Sequence, residues 1–176
     1  MRKLKLDELN RLSADDFKQA DKIPVVVVLD NVRSAMNVGS VFRTCDAFLV
    51  RHIYLVGISA VPPHRDILKA ALGATETVDW SYVATVDECM AQLQSQDYTI
   101  LAVEQSDASV YLHEFLPDVE QQYALVFGNE VDGVSEAVMQ QCDACLEIPQ
   151  LGMKHSLNIS VSAGIVLWEF ARNFKW

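Results

Sequence analysis

The stretch from Phe127 to Gly164, FGNEVDGVSEAVMQQCDACLEIPQLGMKHSLNISVSAG, limits what this chain can fold into more than any other. An apolar run, Tyr123 to Phe127, leads into it and stops at Gly128-Asn129-Glu130. A short helix-like piece follows, then a second apolar run, Ala144 to Ile148, stopped by Pro149. A loop carrying Gly152, Lys154, His155 and Ser156 leads into an apolar helix from Asn158. Short apolar runs bounded by Gly and Pro read as buried strands. Two strands therefore deliver polar, glycine-containing loops from their C-terminal ends, and ligands of open α/β sheets bind at such ends.

The rest of the chain repeats this alternation. Pro24 to Leu29 is an unbroken run with four consecutive valines, which reads as a central strand buried on both faces. From Asn37 onward Val38, Val41, Phe42 and Cys45 fall on one side of a helix. Strands are expected at His52–Val56, Thr77–Val83 and Tyr98–Val103, with helices running through Ala71 and over Asp87–Leu93. Pro62-Pro63 fits the loop and first turn before the former helix, and Gly73 its C-terminal stop. Residues 1–22 form a polar, loosely amphipathic extension with Leu4, Leu6, Leu9, Leu12 and Phe17, and Ser13 suits an N-cap with Asp16 in the first turn. Residues 23–176 form one α/β domain, with a mainly parallel sheet and helices on both faces.

Four cysteines are present, two of them as Cys142-Asp143-Ala144-Cys145. One such pair is half a zinc or redox site, so two small thiols at a helix–strand junction is the preferred reading and no metal is expected. No apolar run approaches the roughly 20 residues of a membrane span, and MRKLKLDELNR has no apolar core of a signal peptide. A soluble cytoplasmic protein is the expectation.

The blocks GNEVDGVS and IPQLGMKHSLNISVSA resemble, in content and spacing, the second and third motifs of the SPOUT-class TrmH family. Members of that family are S-adenosylmethionine-dependent RNA 2′-O-ribose methyltransferases. Asn37, Gly39 and Arg43 resemble its first motif, and the likeness extends roughly over residues 24–170. The resemblance implies a C-terminal trefoil knot, with the chain after Pro149 threaded through the loop following Phe127. It also implies a homodimer formed through the last helix and the first-motif helix. Cofactor-contacting positions match Gly128, Ile148, Met153 and Leu157, with Val103 and Glu104 beside them. Polar motif positions match Arg43, Asn37, Glu130, Ser156 and Asn158. Arg43 would position the ribose hydroxyl and stabilise charge developing on it, because a guanidinium stays protonated. Gly39, one turn before it, would let a substrate backbone approach; Glu130 is suited to hold an arginine through a bidentate pair. Lys154 and His155 are further substrate-side candidates.

Charge complicates an RNA partner. Residues 1–70 hold 11 Lys/Arg and 8 Asp/Glu, residues 71–153 hold 15 Asp/Glu and no Lys or Arg, and the chain totals −10. A phosphate backbone is repelled by the middle segment and tolerated by the ends. Arg2, Lys3, Lys5 and Arg11 suit phosphates or plain solubility equally. Larger members of the family carry an added RNA-binding domain, which leaves room here for an accessory protein. The competing reading is a catalytically silent knotted RNA- or protein-binding module. A Rossmann-type nucleotide binder lacks support, since no G-x-G-x-x-G follows the first strand.

Overall fold

A computed structural model describes residues 1–175; the side chains of Leu6 and Asp7, and all of Trp176, lie outside the described residues. The N-terminal segment holds a 3-10 turn, Leu6–Leu9, and helix α1, Ala14–Gln19. Ser13 caps α1 by accepting the Asp16 N–H (3.1 Å). Phe17 is buried in the main core, so the extension is docked on the domain.

Seven strands form one sheet: β1 Ile23–Asp30, β2 Val50–Val56, β3 Trp80–Val83, β4 Thr99–Val103, β5 Val110–Tyr111, β6 Tyr123–Phe127 and β7 Ala144–Glu147. Their order is β3-β2-β1-β6-β4-β7-β5, and every pairing is parallel. The helices are α2 Ala35–Ala47, α3 Arg65–Ala71, α4 Ala74–Thr77, α5 Val86–Ser95, α6 Glu136–Met139 and α7 Ile159–Lys175.

The valine run of β1 explains the layering. Side chains alternate across a strand. Val25, Val27 and Leu29 enter one core with residues of α2 and α7, while Val26 and Val28 enter a second core with residues of α5. A strand covered on both faces has no polar side to display, hence the unbroken run. From β1 the chain steps outward to β2 and β3, then crosses to β4 on the other side. The order therefore reverses between β1 and β6, and crevices open at such a reversal beyond the carboxyl ends of the strands.

Three expectations are corrected. Thr77 is not in a strand: it ends α4, with its hydroxyl donating to Asp46 Oδ2 (2.5 Å), and β3 begins only at Trp80. Local hydrogen bonding of a threonine hydroxyl has overridden β propensity there. Ile148 lies just past β7, and Asn158 precedes α7, capping it through bonds from the Ser160 N–H (2.9 Å) and hydroxyl (2.7 Å) to its Oδ1. The edge strand β5 was not anticipated, being two exposed residues long. Among the described residues, no helix is long and apolar enough to cross a membrane.

Candidate active site

A cavity of about 690 Å³ opens beyond the carboxyl ends of β4, β6 and β7. Its volume suits a nucleoside-sized ligand. Three chain segments build it: the turn after β4, the 128–134 loop after β6, and the run from Ile148 to Ile159.

The 128–134 loop is a closed hairpin. Asn129 and Gly133 exchange backbone bonds (3.0 and 3.1 Å), and Asn129 Oδ1 accepts the N–H groups of Val131 (2.9 Å) and Asp132 (3.0 Å). Gly133 has φ +70, and a Cβ on Gly128 would stand 1.9 Å from the Gly133 carbonyl carbon. Gly128, matched in the sequence to a cofactor-contacting position, is thus also required by the hairpin's own backbone. Two carboxylates pin the loop to the sheet. Glu104 Oε2 accepts the Val134 N–H (3.1 Å), and Asp30 Oδ2 accepts the Ser135 N–H (2.8 Å). Asp30 is fully buried, and its other oxygen accepts from Asn31 Nδ2 (2.7 Å). Buried carboxylates are tolerated when hydrogen-bonded in this way.

Of the expected cofactor-contacting residues, Val103, Glu104, Gly128, Ile148 and Leu157 line the cavity. Met153 does not: it is 82% exposed on the loop before Leu157. Of the polar set, Glu130, Ser156 and Asn158 line the cavity, as does His155. Lys154 is exposed on the adjoining loop.

Asn37 reaches this group from α2. Its Nδ2 donates to Glu130 Oε1 (2.7 Å), and its Oδ1 accepts from Asn158 Nδ2 (3.2 Å). One amide thus ties α2, the 128–134 hairpin and the start of α7 together. Glu130 therefore bonds an asparagine, where the sequence pointed to an arginine.

Arg43 stands apart. It is exposed, it does not line the cavity, and its side chain has no hydrogen bond or ion pair among the described residues. Six residues beyond Asn37, it lies about 9 Å further along the helix axis. The role expected for Gly39 is also corrected. A Cβ there would meet Ile67 O at 2.5 Å and Ala70 Cβ at 2.8 Å, so this glycine serves the close packing of α3 on α2.

Sequence reasoning gave no role to Asp30, or to Asn129 although it lies inside the GNEVDGVS block; both shape the hairpin. The polar break after a valine run, Asp30-Asn31, was the available signal. The cysteine pair takes no part in the cavity. Cys145 Sγ donates to Glu104 O (3.2 Å), and burial pushes its thiol up from the ordinary value despite a bond from Ser106. Burial raises the Cys142 thiol also. Among the described residues, no group of three or more His, Cys, Asp or Glu could hold a metal ion.

Comparison with known proteins places this geometry. The model of the SpoU rRNA Methylase family matches residues 24–168. The 23S rRNA (guanosine-2′-O-)-methyltransferase RlmB of Neisseria meningitidis serogroup B is 32% identical over 158 residues, 90% of this chain and 62% of that protein. RlmB of Vibrio vulnificus is 31% identical, over 94% of this chain and 66% of that protein. The chain thus spans less than two thirds of the length of these relatives. Among solved structures, a TrmH/SpoU tRNA modifying enzyme of A. aeolicus superposes with TM-score 0.77 at 30% identity, covering 89% of this chain and 78% of that one. An AdoMet-bound rRNA methyltransferase of Sinorhizobium meliloti superposes with TM-score 0.79 at 27% identity, covering 92% of this chain and 61% of that one.

Proposed function

This chain belongs to the SpoU rRNA Methylase family, and on that premise we propose that it transfers a methyl group from S-adenosylmethionine to a ribose 2′-hydroxyl of tRNA or rRNA. The observation that carries the reading is the bonding of Asn37 to both Glu130 and Asn158 (2.7 and 3.2 Å). Three segments far apart in the chain are thereby joined beside one cavity, which Glu130 and Asn158 line and Asn37 supports from outside.

The cavity fits the cofactor in kind. Phe127, Val103, Ile148 and Leu157 offer apolar walls, and the closed hairpin at Gly128 offers backbone groups at one rim. S-Adenosylmethionine supplies an activated methyl group on a sulfonium centre. The chain must hold the acceptor hydroxyl in line and favour the loss of its proton. Ser156 and Asn158 stand where they can fix the substrate or the loop. Arg43 is assigned to orient the hydroxyl and an adjoining phosphate, and to stabilise the oxygen as it gains charge.

Since Arg43 lies outside its own chain's cavity, the reading includes a homodimer in which it serves the partner's. Exposed apolar side chains support this. Val161, Ile165 and Trp168 follow one another at helical spacing on α7 with 50%, 39% and 49% exposure, and Met36 of α2 is 47% exposed. A stripe of that size is covered in most soluble proteins. A trefoil knot at residues 127–158 belongs to the same proposal. It is supported by the family and by the place of β7 beside β4, with α7 returning to α2.

Two measurements test the enzyme. Calorimetry with S-adenosylhomocysteine should show binding without RNA; a folded wild type that binds none removes the reading. Nucleoside mass spectrometry of total RNA, with and without the gene, should show one 2′-O-methylnucleoside lost.

A further inference from the structure

Of the four histidines in this chain, three are engaged within the fold. His52, in β2, bonds Ser81 Oγ (2.9 Å) and lies against the Tyr54 ring, with centroids 4.6 Å apart. His64 accepts the Asp66 N–H (3.2 Å) at the start of α3. His113 stacks on Tyr111, with centroids 5.8 Å apart, and its Nε2 stands 3.9 Å from Glu114 Oε1. The fourth, His155, lines the cavity. It is exposed, and its ring has no hydrogen bond, ion pair or ring contact among the described residues.

Methyl transfer to a ribose leaves one task without a residue. The hydroxyl loses its proton as its oxygen takes the methyl carbon. Arg43 can steady the charge, but a guanidinium stays protonated and accepts no proton. The acceptor must be another group, best one that titrates near the working pH. Among the described residues that line the cavity, the side chains carrying a carboxylate or an imidazole are Glu104, Glu130, Asp132 and His155. Both oxygens of Glu104 are taken, by the N–H groups of Val134 (3.1 Å) and Gln105 (2.8 Å). Glu130 accepts from Asn37 (2.7 Å). Asp132 is uncommitted, but a carboxylate ordinarily titrates near about 4 and holds a proton poorly at neutral pH. An imidazole ordinarily titrates near about 6.5 and is the better acceptor there. His155 also stands directly before Ser156 and three residues before Asn158, on the one run that brings both polar groups to the cavity.

We propose, on the reading of the chain as an RNA 2′-O-methyltransferase, that His155 is a catalytic residue, the general base that takes the proton of the 2′-hydroxyl. As the ribose oxygen bonds the methyl carbon, the carbon–sulfur bond breaks and its electron pair stays on sulfur, leaving a neutral thioether. The hydroxyl proton passes to a free ring nitrogen of His155, and the imidazolium then releases it to solvent. The carboxylates of Glu104, Glu130 and Asp132 line the same cavity and favour the imidazolium, while Lys154, exposed on the adjoining loop, opposes it. Base and charge stabiliser are thereby separate residues, which removes the need for an arginine to do both.

The test follows transfer of labelled methyl from S-adenosylmethionine to total RNA of a strain lacking the gene, at a series of pH values on either side of neutrality. The wild-type rate should rise with pH to a plateau. His155→Gln should lose that inflection and about 100-fold in rate at saturating RNA. Added imidazole should restore part of the rate to His155→Ala, which a merely structural role would not allow. Asp132→Asn should keep the inflection whatever its rate. Apart from turnover, the ring resonances of His155, assigned by their loss in His155→Gln, should shift when S-adenosylhomocysteine is added, and calorimetry should show both His155 variants binding that ligand nearly as wild type does. A His155→Gln enzyme with the wild-type profile, an inflection lost in Asp132→Asn instead, a His155→Ala enzyme that imidazole cannot restore, or ring resonances that the ligand leaves unmoved each overturn the base and leave the methyltransferase reading standing. A wild type that methylates none of the RNA overturns it as well, and the calorimetry then decides separately whether the chain binds the cofactor.

Discussion

Gly39 shows how a motif residue can be read correctly in position and wrongly in purpose. Its spacing from Arg43 suggested an opening for substrate, yet the space is filled by the backbone of α3. Only packing could reveal that, because helical spacing gives a face and not its neighbour. The consequence is measurable. Gly→Ala in a helix interior ordinarily gains about 1 kcal/mol. Here the new methyl would press on Ile67 O, a backbone atom with little freedom to yield, and overpacking costs about 1–3 kcal/mol. Gly39→Ala should therefore lower stability in urea denaturation; an increase would show that α3 yields freely. His52 offers a second test at this scale. Burial holds its pKa below the ordinary 6.5, with Asp79 partly opposing, and its Nε2 meets Ser81 Oγ at 2.9 Å. The unfolded chain then takes up the proton more readily than the folded one. Stability should fall as pH drops below about 6.5, levelling once the folded-state pKa is passed. His52→Gln should flatten that part of the curve, which denaturation at about pH 7.5 and about pH 5.5 would read.

At the scale of elements, the sequence showed most where burial was complete. The valine run of β1 and the capped start of α1 appear as expected, since two-sided burial and N-capping leave direct marks on residue choice. α4 and β5 left weaker marks. Four residues with a threonine at the end, and two exposed residues at a sheet edge, carry no periodicity to detect. The candidate site was legible in its loops and illegible in its supports. Glu104 reads from sequence as a neighbour of the cofactor, yet its carboxylate holds the Val134 N–H and lies against Gly133. Glu104→Ala would leave that N–H without its partner and the hairpin free to shift. An unpaired buried donor costs about 1–3 kcal/mol. Calorimetry should show weaker S-adenosylhomocysteine binding, with stability reduced less than by Asp30→Ala, because Asp30 is wholly buried whereas Glu104 is half-buried. If Glu104→Ala binds the ligand as tightly as wild type, the hairpin does not depend on that bond.

At the scale of the whole molecule, the question is whether one chain holds a complete site. The cavity loops and Asn37 are joined within the chain, but Arg43 is exposed on α2 and does not line the cavity. A site shared between two chains reconciles these positions. Sedimentation at micromolar concentration should therefore show a dimer, and Ile165→Asp should weaken it. The sharper test concerns catalysis. Arg43→Ala should cut methyl transfer by about 100-fold or more while leaving S-adenosylhomocysteine affinity nearly unchanged, since the lost contact strengthens only as charge builds on the ribose oxygen. Lysine should restore little, because a point charge cannot hold a hydroxyl and a phosphate together as a planar fork does. Arg43→Ala chains can then be mixed with chains disabled in the cavity, Gly128→Trp or, sparing the hairpin backbone, Leu157→Asp. In a shared-site dimer one of the two sites keeps both an intact cavity and an intact Arg43, and activity should return in the mixture alone. If mixed dimers are isolated and remain as inactive as either parent, Arg43 must serve its own chain after a movement of α2, and the shared site is wrong.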